Sequence, residues 1–275
     1  MNAGHSPEIG GLGSRVERHL IISGHGRAGS TLFYTMMRHC LRDFGLFEAE
    51  MPTAHLLHLP GNQCSKRPYD IFDTARILQA NRRGKQLDLI VMLRDPRDIL
   101  ISRHRAVPDD YFMAADLCYF IQPGKVPTFT APGLLQIQRA IMQVARSGAF
   151  PRGIFYLKYE DLVADPDSVQ QALSAQLGLR FEGSFADFHT AEIPAHLQGP
   201  LNGVRALEAG PARKWAQPEH RARIIDQFTR FPVLHDVLIG LGYETDRSWY
   251  DALLAEGRGV GTGGVGNDGG RPKAP

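Results

Sequence analysis

The chain has 275 residues, enough for one α/β domain with a full hydrophobic core or at most for two small domains. Hydrophobic residues make up 43% of it and charged residues 22%, and 31 basic against 29 acidic residues give a net charge of +2. This composition is typical of a soluble globular protein, and the charge balance gives no support for a nucleic-acid-binding or membrane surface.

The sequence has no feature of a membrane-inserted or exported protein. No apolar run reaches the about 18 residues of a transmembrane helix, and the first residues lack the charged-then-apolar pattern of a secretory signal. Cys40, Cys64 and Cys118 are scattered and form no C-x-x-C motif. We therefore expect a cytoplasmic protein without an integral membrane segment, in which the three thiols are reduced and buried. No pattern indicates an oligomeric state.

Glycine-rich segments lie at both ends of the chain. Residues 1–17 lack apolar periodicity, and glycine dominates residues 256–275. Such segments bury too little apolar surface to offset the entropy lost on ordering, so both are predicted to be disordered tails. Residues 18–255 are predicted to form one domain.

Between the tails, short apolar runs alternate with segments of helical periodicity. The predicted strands are His19–Ser23, Gly45–Ala49, Asn62–Lys66, Leu87–Leu93 and Gly153–Lys158. The predicted helices are Leu32–Phe44, Ile71–Arg83, Pro96–His104, Gly133–Ser147, Ser168–Leu177, Pro218–Thr229 and Val233–Leu241. This alternation predicts an α/β fold, a three-layer sandwich with a central, mostly parallel sheet of the P-loop NTPase-like type. Ligands of such sheets bind beyond the carboxyl ends of the strands.

The first strand leads into a small-residue turn and then into a helical pattern. The turn reads Gly24-His25-Gly26-Arg27-Ala28-Gly29-Ser30-Thr31. Glycines let several backbone N–H groups converge, and the N-terminus of the following helix adds partial positive charge. The segment predicts an anion-binding loop in which Arg27 is the cation, and a glycine-rich turn without a ligand is the alternative.

The same loop departs from the Walker motif. Gly24 and Gly29 have the spacing of G-x-x-x-x-G-K-[ST], but no lysine precedes Ser30-Thr31. Nucleotide triphosphatases use that lysine on the β- and γ-phosphates, so hydrolysis of ATP or GTP is disfavoured. A P-loop kinase of a small metabolite and a non-catalytic nucleotide-binding module remain alternatives.

A second basic segment follows the fourth predicted strand. Arg94 comes directly after the strand, Pro96 stands where a helix can begin, and Ser102 follows eight residues after Arg94. Arg94 and Ser102 can reach one anion from two sides. Further positive potential is expected from Arg97, Arg103 and Arg105. The alternative is a solvated basic helix face on which Asp95 and Asp98 are N-terminal helix charges.

Together, these two segments resemble motifs of the sulfotransferases that use 3′-phosphoadenosine 5′-phosphosulfate. Arg27–Thr31 is similar to the family loop [K/R]-S-G-[ST]-T, which holds the 5′-phosphosulfate, with Ala28 in place of serine. Arg94–Ser102 is similar to R-[DN]-P-[RK]-D-x-x-x-S, which holds the 3′-phosphate. The resemblance implies a donor site formed by Arg27, Ala28, Gly29, Ser30, Thr31, Leu32, Arg94 and Ser102.

Two later segments extend the resemblance. Phe155–Leu162 is similar to the family strand that ends in Y-x-x-Y-E-D, which implies that Tyr156 contacts the adenine. By the same match Glu160 and Asp161 help to fix the fold. The segment Gly210–Trp215 resembles the late loop that closes over the donor. It implies that Arg213 and Lys214 add to the 3′-phosphate site, while Trp215 is either a ligand contact or part of the core.

The chemistry implied by the resemblance is sulfuryl transfer, which depends on alignment and on stabilisation of charge at the leaving oxygen. Arg27 is expected to act on the leaving phosphate. Lys66 stands two residues before Pro68 and resembles the catalytic lysine or histidine of the family, which donates to the sulfonate. Arg67 can share this role, and a surface lysine beside a turn is the alternative.

The catalytic base, which takes the proton from the acceptor's hydroxyl or amine, is expected to be one of two glutamates or one of two histidines. Glu48 and Glu50 follow the first helix, where several relatives carry a glutamate base, and in a strand they would point to the same face. His58 resembles the T-H-L-P histidine of the cytosolic branch, but it lies only ten residues after Glu48, which fits that branch poorly. The glutamates are therefore preferred over His58 and His55.

These residues predict a sulfotransferase whose co-substrate is 3′-phosphoadenosine 5′-phosphosulfate and whose acceptor carries a free hydroxyl or amine. No metal is implied, because no histidine or cysteine cluster has ligand spacing. The aromatic segment Asp109–Pro132 predicts either an acceptor-side lid or ordinary loop packing. His25 and His104 are expected to be structural or exposed. The sequence does not distinguish a sugar, lipid head group, phenol or peptide as acceptor.

Overall fold

The computed structural model describes residues 16–103, 111–120, 128–130, 132–190 and 213–259. These residues belong to two compact units. The first contains Gly29–Met92 and the described parts of Met1–Gly24 and Ile141–Leu207. The second contains His25–Ala28 and the described parts of Leu93–Ala140 and Glu208–Pro275. Within the described residues, no helix combines the length and hydropathy needed to cross a membrane.

A five-stranded sheet forms the centre of the first unit. Its strands are β1 (Arg18–Gly24), β2 (Gly45–Leu46), β3 (Gln63–Lys66), β4 (Gln86–Leu93) and β7 (Ile154–Lys158), in the spatial order β2-β3-β1-β4-β7. Strand β1 pairs in parallel with β3 and with β4, and β2 pairs in parallel with β3. The predicted α/β class with a mostly parallel central sheet is confirmed.

The two central strands are buried along almost their whole length. In β1 every residue after Arg18 is buried, and in β4 every residue after Gln86 is buried. Successive side chains of a strand point to opposite faces, so both faces of the sheet are covered, as a three-layer arrangement requires. The continuous apolar runs in the sequence reflect this double burial.

Helices account for most of the remaining described residues. The first unit contains α1 (Ser30–Cys40), α2 (Thr74–Ala80), α5 (Tyr159–Ala164) and α6 (Pro166–Leu177), and α4 (Leu134–Ser147) belongs in part to each unit. The second unit contains α3 (Pro96–Leu100), α7 (Pro218–Arg230), α8 (Val233–Gly240), α9 (Ser248–Gly259) and the antiparallel pair β5 (Cys118–Phe120) and β6 (Thr128–Thr130).

The strand predicted over Gly45–Ala49 is shorter than expected, because β2 ends at Leu46. The Phe47 N–H donates to the Tyr34 hydroxyl oxygen at 2.8 Å, and that hydroxyl donates to the Phe47 carbonyl at 2.9 Å. A side chain of α1 therefore uses both backbone groups that would continue the sheet.

Two predicted helices also differ. The Ile71–Arg83 segment is divided at Asp73 into a 3₁₀ turn, Pro68–Phe72, and α2. The helix predicted over Pro96–His104 ends at Leu100, and His104 lies outside the described residues. The predicted tails lie mostly outside them too, but α9 continues to Gly259, beyond the predicted start of the C-terminal tail.

All three cysteines are free and buried, as predicted. Burial raises the pKa of the Cys40 thiol to about 11 and raises the pKa of Cys64 further. Both thiols are therefore protonated near neutral pH and have no nucleophilic role.

Candidate functional site

The predicted anion-binding loop begins at the end of β1, beside β4. Gly24, the last residue of β1, lies opposite Met92 of β4 and has φ +118°. A Cβ atom on Gly24 would lie 2.6 Å from the Met92 carbonyl oxygen, so only glycine fits there. The segments that begin at His25 and at Leu93 therefore leave the sheet from neighbouring strand ends, as the sequence predicts.

Gly29 closes the loop and begins helix α1. Its φ of +79° is left-handed, and a Cβ atom there would lie 2.4 Å from the Tyr159 ring, so glycine is again required. No side chain caps α1, and its first turn has no acidic residue. The N–H groups of Ser30, Thr31 and Leu32 therefore form an uncapped helix N-terminus, the kind that binds anions.

Ala28, which replaces the serine of the family loop, is fully buried. Its methyl group therefore belongs to the core of the second unit, and a contact between its backbone and an anion stays a prediction.

Arg27, Arg94 and Ser102, named here the arginine–serine cluster, are in direct contact. The Arg27 Nε donates to the Ser102 Oγ at 2.8 Å, and the Arg94 Nη1 donates to the Arg27 carbonyl at 3.1 Å. Arg27 is exposed and has a left-handed φ of +65°, which is unusual for a residue with a side chain. The structure thus brings together the cations of the two predicted loops.

The two guanidinium groups of the cluster affect each other electrostatically. Within the described part of the chain, no carboxylate lies at ion-pair distance from Arg27, while Arg94 Nη2 lies 3.6 Å from the Asp98 carboxylate. Partial burial and, after it, the charge of Arg94 lower the pKa of Arg27 from its usual value. The two like charges repel each other, and an anion bound beside them would reduce that repulsion.

Asp95 and Asp98 have structural roles at the start of α3, as the alternative to an anion site predicted for them. The Asp95 carboxylate caps α3 by accepting the Arg97 N–H at 2.8 Å. The Asp98 carboxylate accepts the Trp215 N–H at 3.1 Å. Asp98 therefore joins the segment that carries Arg94 to the segment that carries Lys214.

Arg97 does not add positive potential to the anion site, so that expectation is wrong. Its side chain is 3% exposed and forms ion pairs with Asp95 at 2.7 Å and with Glu244 at 2.5 Å. Its guanidinium lies 3.9 Å from the ring centre of Trp215 and 4.5 Å from that of Trp249. The two carboxylates neutralise the Arg97 charge, and the two indoles shield it from solvent.

The late basic pair is exposed, whereas the tryptophan beside it belongs to the core. Arg213 and Lys214 are exposed, and Trp215 is 4% exposed against Arg97. Core packing is therefore the correct reading of Trp215. The contact of Arg213 and Lys214 with a phosphate stays a prediction, and residues 210–212 lie outside the described residues.

Lys66 lies at the end of β3 and pairs with Glu50. Lys66 Nζ lies 2.5 Å from Glu50 Oε2, the Lys66 side chain is 10% exposed and the Glu50 side chain is 44% exposed. An ordinary surface lysine is thus the wrong description of Lys66. Arg67, the other candidate cation, donates instead to Asp70 at 2.9 Å and to Asp73 at 2.8 Å.

The four candidate bases differ in their surroundings. Glu48 and Glu50 are exposed and lie beyond the end of β2, so the expectation that they share one face of a strand is wrong. His55 accepts a hydrogen bond at Nε2 from Arg76 Nη2 at 2.8 Å, which occupies that nitrogen. His58 is exposed, and its role stays a prediction.

Tyr156 lines a shallow pocket of about 120 Å³ together with Val144, Phe150 and Ile154. Its side chain is 47% exposed, and partial burial raises the pKa of its hydroxyl. The pocket is smaller than the roughly 300–1,000 Å³ that is usual for small-molecule sites. The contact of Tyr156 with adenine stays a prediction.

The other histidine and arginine residues considered in the sequence analysis, as far as the structure describes them in the second unit, contact neighbouring side chains of that unit. His25 is 1% exposed and contacts Gln138 Oε1 at 2.9 Å, and burial lowers its pKa to about 4, so it is a neutral core residue as expected. Arg103 is exposed, with its guanidinium 4.4 Å from the ring centre of Tyr111. Arg105 and most of Asp109–Pro132 lie outside the described residues.

Sequence reasoning did not identify two contacts of the site. Tyr159, which packs on Gly29, is the second tyrosine of the Y-x-x-Y-E-D match, and the contact explains why that position is aromatic. Asp70, which accepts from both Arg67 and Thr53, stands three residues after Arg67. Its partner Thr53 is distant in sequence, and no local pattern indicates that pairing.

No family model matches the sequence, and no curated protein matches it. Among solved structures, the chain is similar to the sulfotransferase domain from the curacin biosynthetic pathway, at 16% identity over 78% of this chain and 98% of that one, with a TM-score of 0.47. It is also similar to the sulfotransferase domain from the Synechococcus PCC 7002 olefin synthase (16% identity, 80% and 96% coverage, TM-score 0.44). A third is mouse sulfotransferase SULT7A1 complexed with PAP (12% identity, 79% and 85% coverage, TM-score 0.47).

Proposed function

We propose that this protein transfers a sulfuryl group from 3′-phosphoadenosine 5′-phosphosulfate to an acceptor hydroxyl or amine. The observation that carries the proposal is the arginine–serine cluster, in which Arg27 contacts both Arg94 and Ser102. The two segments that resemble the donor-binding motifs of sulfotransferases therefore meet in space. Two unrelated basic motifs, 67 residues apart from Arg27 to Arg94, would have no reason to do so.

The residues present fit a donor that carries two phosphate-bearing ends. Guanidinium groups match the geometry of phosphate oxygens and make strong charge-assisted hydrogen bonds. We assign Arg94 and Ser102 to the 3′-phosphate, with Arg213 and Lys214 as further cations. We assign Arg27 and the backbone of residues 28–32 to the 5′-phosphosulfate, since α1 offers an uncapped N-terminus. Tyr156 is proposed for the adenine.

Lys66 and Glu50 are proposed to carry the transfer. When bound, the donor supplies an activated sulfuryl group on a phosphate leaving group. Lys66 donates to a sulfonate oxygen and Arg27 to the leaving phosphate, so both stabilise charge in a loose transition state. The sulfur–oxygen bond to the phosphate breaks as the bond to the acceptor oxygen or nitrogen forms, and the acceptor's proton passes to Glu50.

The Lys66–Glu50 ion pair favours Glu50 over the other candidate bases. When the Lys66 ammonium turns from Glu50 to a sulfonate oxygen, the carboxylate loses its partner and becomes a better proton acceptor. The 44% exposure of Glu50 leaves it accessible to an acceptor, whereas Nε2 of His55 is occupied by Arg76. Glu48 and His58 are the residues to examine if replacement of Glu50 leaves turnover unchanged.

A direct test combines binding and turnover. Calorimetry should show that the purified protein binds adenosine 3′,5′-bisphosphate. Incubation with ³⁵S-labelled donor and a metabolite extract, followed by mass spectrometry, should reveal sulfated products whose masses also identify the acceptor. Absence of bisphosphate binding would contradict the proposal.

Assays on the same protein distinguish the two alternative functions, a small-metabolite kinase and a non-catalytic nucleotide-binding module. A small-metabolite kinase would turn over ATP in the presence of magnesium and would produce phosphorylated species instead. A non-catalytic module would bind the bisphosphate but give no labelled product with any fraction of the extract. Replacement of Lys66, Glu48 and Glu50 would then leave its biological activity unchanged.

A further inference from the structure

A buried chain of polar side chains lies beneath the Lys66–Glu50 pair in the first unit. Its members are His19, Ser65, Thr53 and Asp70, none of them more than 2% exposed. His19 Nε2 lies 2.9 Å from Ser65 Oγ, which lies 2.7 Å from Thr53 Oγ1, which lies 2.5 Å from Asp70 Oδ2. None of the proposed catalytic steps uses these residues.

The direction of every hydrogen bond in this chain follows from Asp70. A carboxylate only accepts, so the Thr53 hydroxyl donates to Asp70 and must itself accept from Ser65. Ser65 then accepts from His19, which carries its proton on Nε2. The His19 Nδ1 is buried without a hydrogen-bond partner, and burial lowers the pKa of His19 to about 3, both of which agree with a neutral imidazole.

Asp70 joins two stretches of chain that are distant in sequence. Its Oδ2 accepts from both the Thr53 N–H at 3.0 Å and the Thr53 hydroxyl, and its Oδ1 accepts from Arg67 Nη1 at 2.9 Å. Thr53 follows Glu50 by three residues, and Arg67 directly follows Lys66. The carboxylate therefore holds together the stretch that carries Glu50 and the stretch that carries Lys66.

The two stretches are anchored to different degrees. The Lys66 stretch is fixed to β1, because the Arg67 N–H donates to the Ile22 carbonyl at 3.0 Å and the Ser23 hydroxyl donates to the Pro68 carbonyl at 2.6 Å. Residues 48–52, in contrast, lie in no helix or strand. Their position therefore depends strongly on the attachment of Thr53 to Asp70.

From this arrangement we propose that Asp70 is a positioning residue that, through Thr53, holds Glu50 in place to pair with Lys66. Only the expected effect of Asp70 on turnover rests on the proposed function, because the Glu50–Lys66 ion pair itself exists without any substrate. Asp70 acts through Thr53 and is not expected to touch donor or acceptor.

The central variant is Asp70→Asn, in which an NH2 group that cannot accept replaces one of the two carboxylate oxygens, so that Thr53 and Arg67 compete for the single oxygen that remains. Thr53→Val removes only the hydroxyl donor, and it keeps the proposal testable if Asp70→Asn does not fold. Thr53→Ser keeps the hydroxyl and should restore the wild-type result. The matched control is Asp73→Asn, since Asp73 accepts from the same Arg67 Nη1 at 2.8 Å but is not bonded to Thr53. Circular dichroism and thermal melting establish which variants are folded.

The first measurement does not depend on catalysis. A water-soluble carbodiimide joins a carboxylate directly to an amine with loss of water, so it reports ion pairs in contact. Peptide mass spectrometry should detect a Glu50–Lys66 amide in wild type. We expect its yield to fall about fivefold or more in Asp70→Asn and Thr53→Val, and to change less than about twofold in Asp73→Asn and Thr53→Ser. An unchanged yield in both folded Asp70→Asn and folded Thr53→Val would overturn the proposal.

The second measurement is a double-mutant cycle in turnover. Asp70→Asn should lower kcat about tenfold or more while affinity for adenosine 3′,5′-bisphosphate changes less than about threefold, and adding Glu50→Gln should cost little more. Fully additive losses would also overturn the proposal. If wild type shows no sulfuryl transfer but the amide is lost in Asp70→Asn, the positioning role stands and the proposed function falls.

Discussion

The two polar clusters, one in each unit, differ in the groups that their cations contact. In the arginine–serine cluster the Arg27 side chain and one Arg94 nitrogen donate to neutral oxygens, the hydroxyl of Ser102 and a backbone carbonyl. In the other cluster, the Lys66 ammonium pairs with a carboxylate 2.5 Å away. Both contain cations, but within the described residues Arg27 has no carboxylate at ion-pair distance, whereas Lys66 has Glu50.

This difference matches the two tasks that the proposed transfer assigns to the clusters. A cation without a carboxylate partner is available to an anion throughout the reaction, so it suits the phosphate ends of a donor. An ion pair that opens on binding frees one cation and one base together, so it suits the reacting centre, where charge changes.

Lys66→Met should distinguish most clearly between the proposed roles of the two clusters in turnover and in donor binding. Loss of a preorganised donor to the transition state is expected to lower kcat by about 100-fold or more. Affinity for adenosine 3′,5′-bisphosphate should stay within about threefold, because Arg27 and Arg94 are untouched. Single-turnover kinetics and calorimetry measure the two effects. Equal losses in binding and turnover would show that Lys66 belongs to the anion site instead.

Arg94→Ala should give the opposite pattern. Removing one guanidinium from a charge-assisted contact is expected to cost about 1.5–3 kcal/mol, or about 10–100-fold in bisphosphate affinity. Arg139→Ala is the matched control, since it removes the same charge from an exposed position on α4. If calorimetry shows equal losses for the two variants, net charge rather than a defined site explains the binding.

Acid should weaken the fold through His25, which precedes the arginine–serine cluster. The unfolded imidazole binds a proton below about pH 6.5, whereas the folded one, with its pKa lowered to about 4, does so only in stronger acid. Its contribution to stability is therefore complete above pH 6.5 and is lost as the pH falls towards 4, by roughly 2 kcal/mol at pH 5.

Urea unfolding between pH 7.5 and 5 measures this loss. His25→Gln should give a shallower dependence of the unfolding free energy on pH, since it removes the titrating group. A variant with the slope of wild type would show that other groups account for the acid sensitivity.

Ser102→Ala is expected to have the smallest effect. It removes one hydrogen bond to Arg27, worth about 1 kcal/mol, so bisphosphate affinity should fall about fivefold. Ser102→Thr keeps the hydroxyl and should bind within about twofold of wild type. Titration of both variants under one salt condition is needed, because anion binding weakens with ionic strength. If Ser102→Ala leaves bisphosphate affinity unchanged, Ser102 does not contribute to the 3′-phosphate site.

The architecture and the donor loops could be predicted because they depend on local constraints. Double burial of a strand gives a continuous apolar run, as in β4, and a left-handed turn near a neighbouring strand requires glycine, as at Gly24 and Gly29. Arg94 follows a buried strand directly, so its position at the sheet edge follows from the strand itself. The prediction that Arg27 and Arg94 follow neighbouring strands rests on these local rules, whereas their direct contact is seen only in the structure.

The partners of the charged side chains were decided by the tertiary structure. Arg97 has the same local context as Arg94, yet one is buried between two indoles and the other contacts the anion-binding loop. Strand β2 ends early because of Tyr34, and Glu50 is positioned through Thr53 and Asp70. Sequence alone predicted most of the strands and helices and the glycine turn after β1, since those properties need only near neighbours along the chain. Which cation is neutralised depends on the carboxylates and aromatic rings that distant segments bring to it, and only the folded chain sets those contacts.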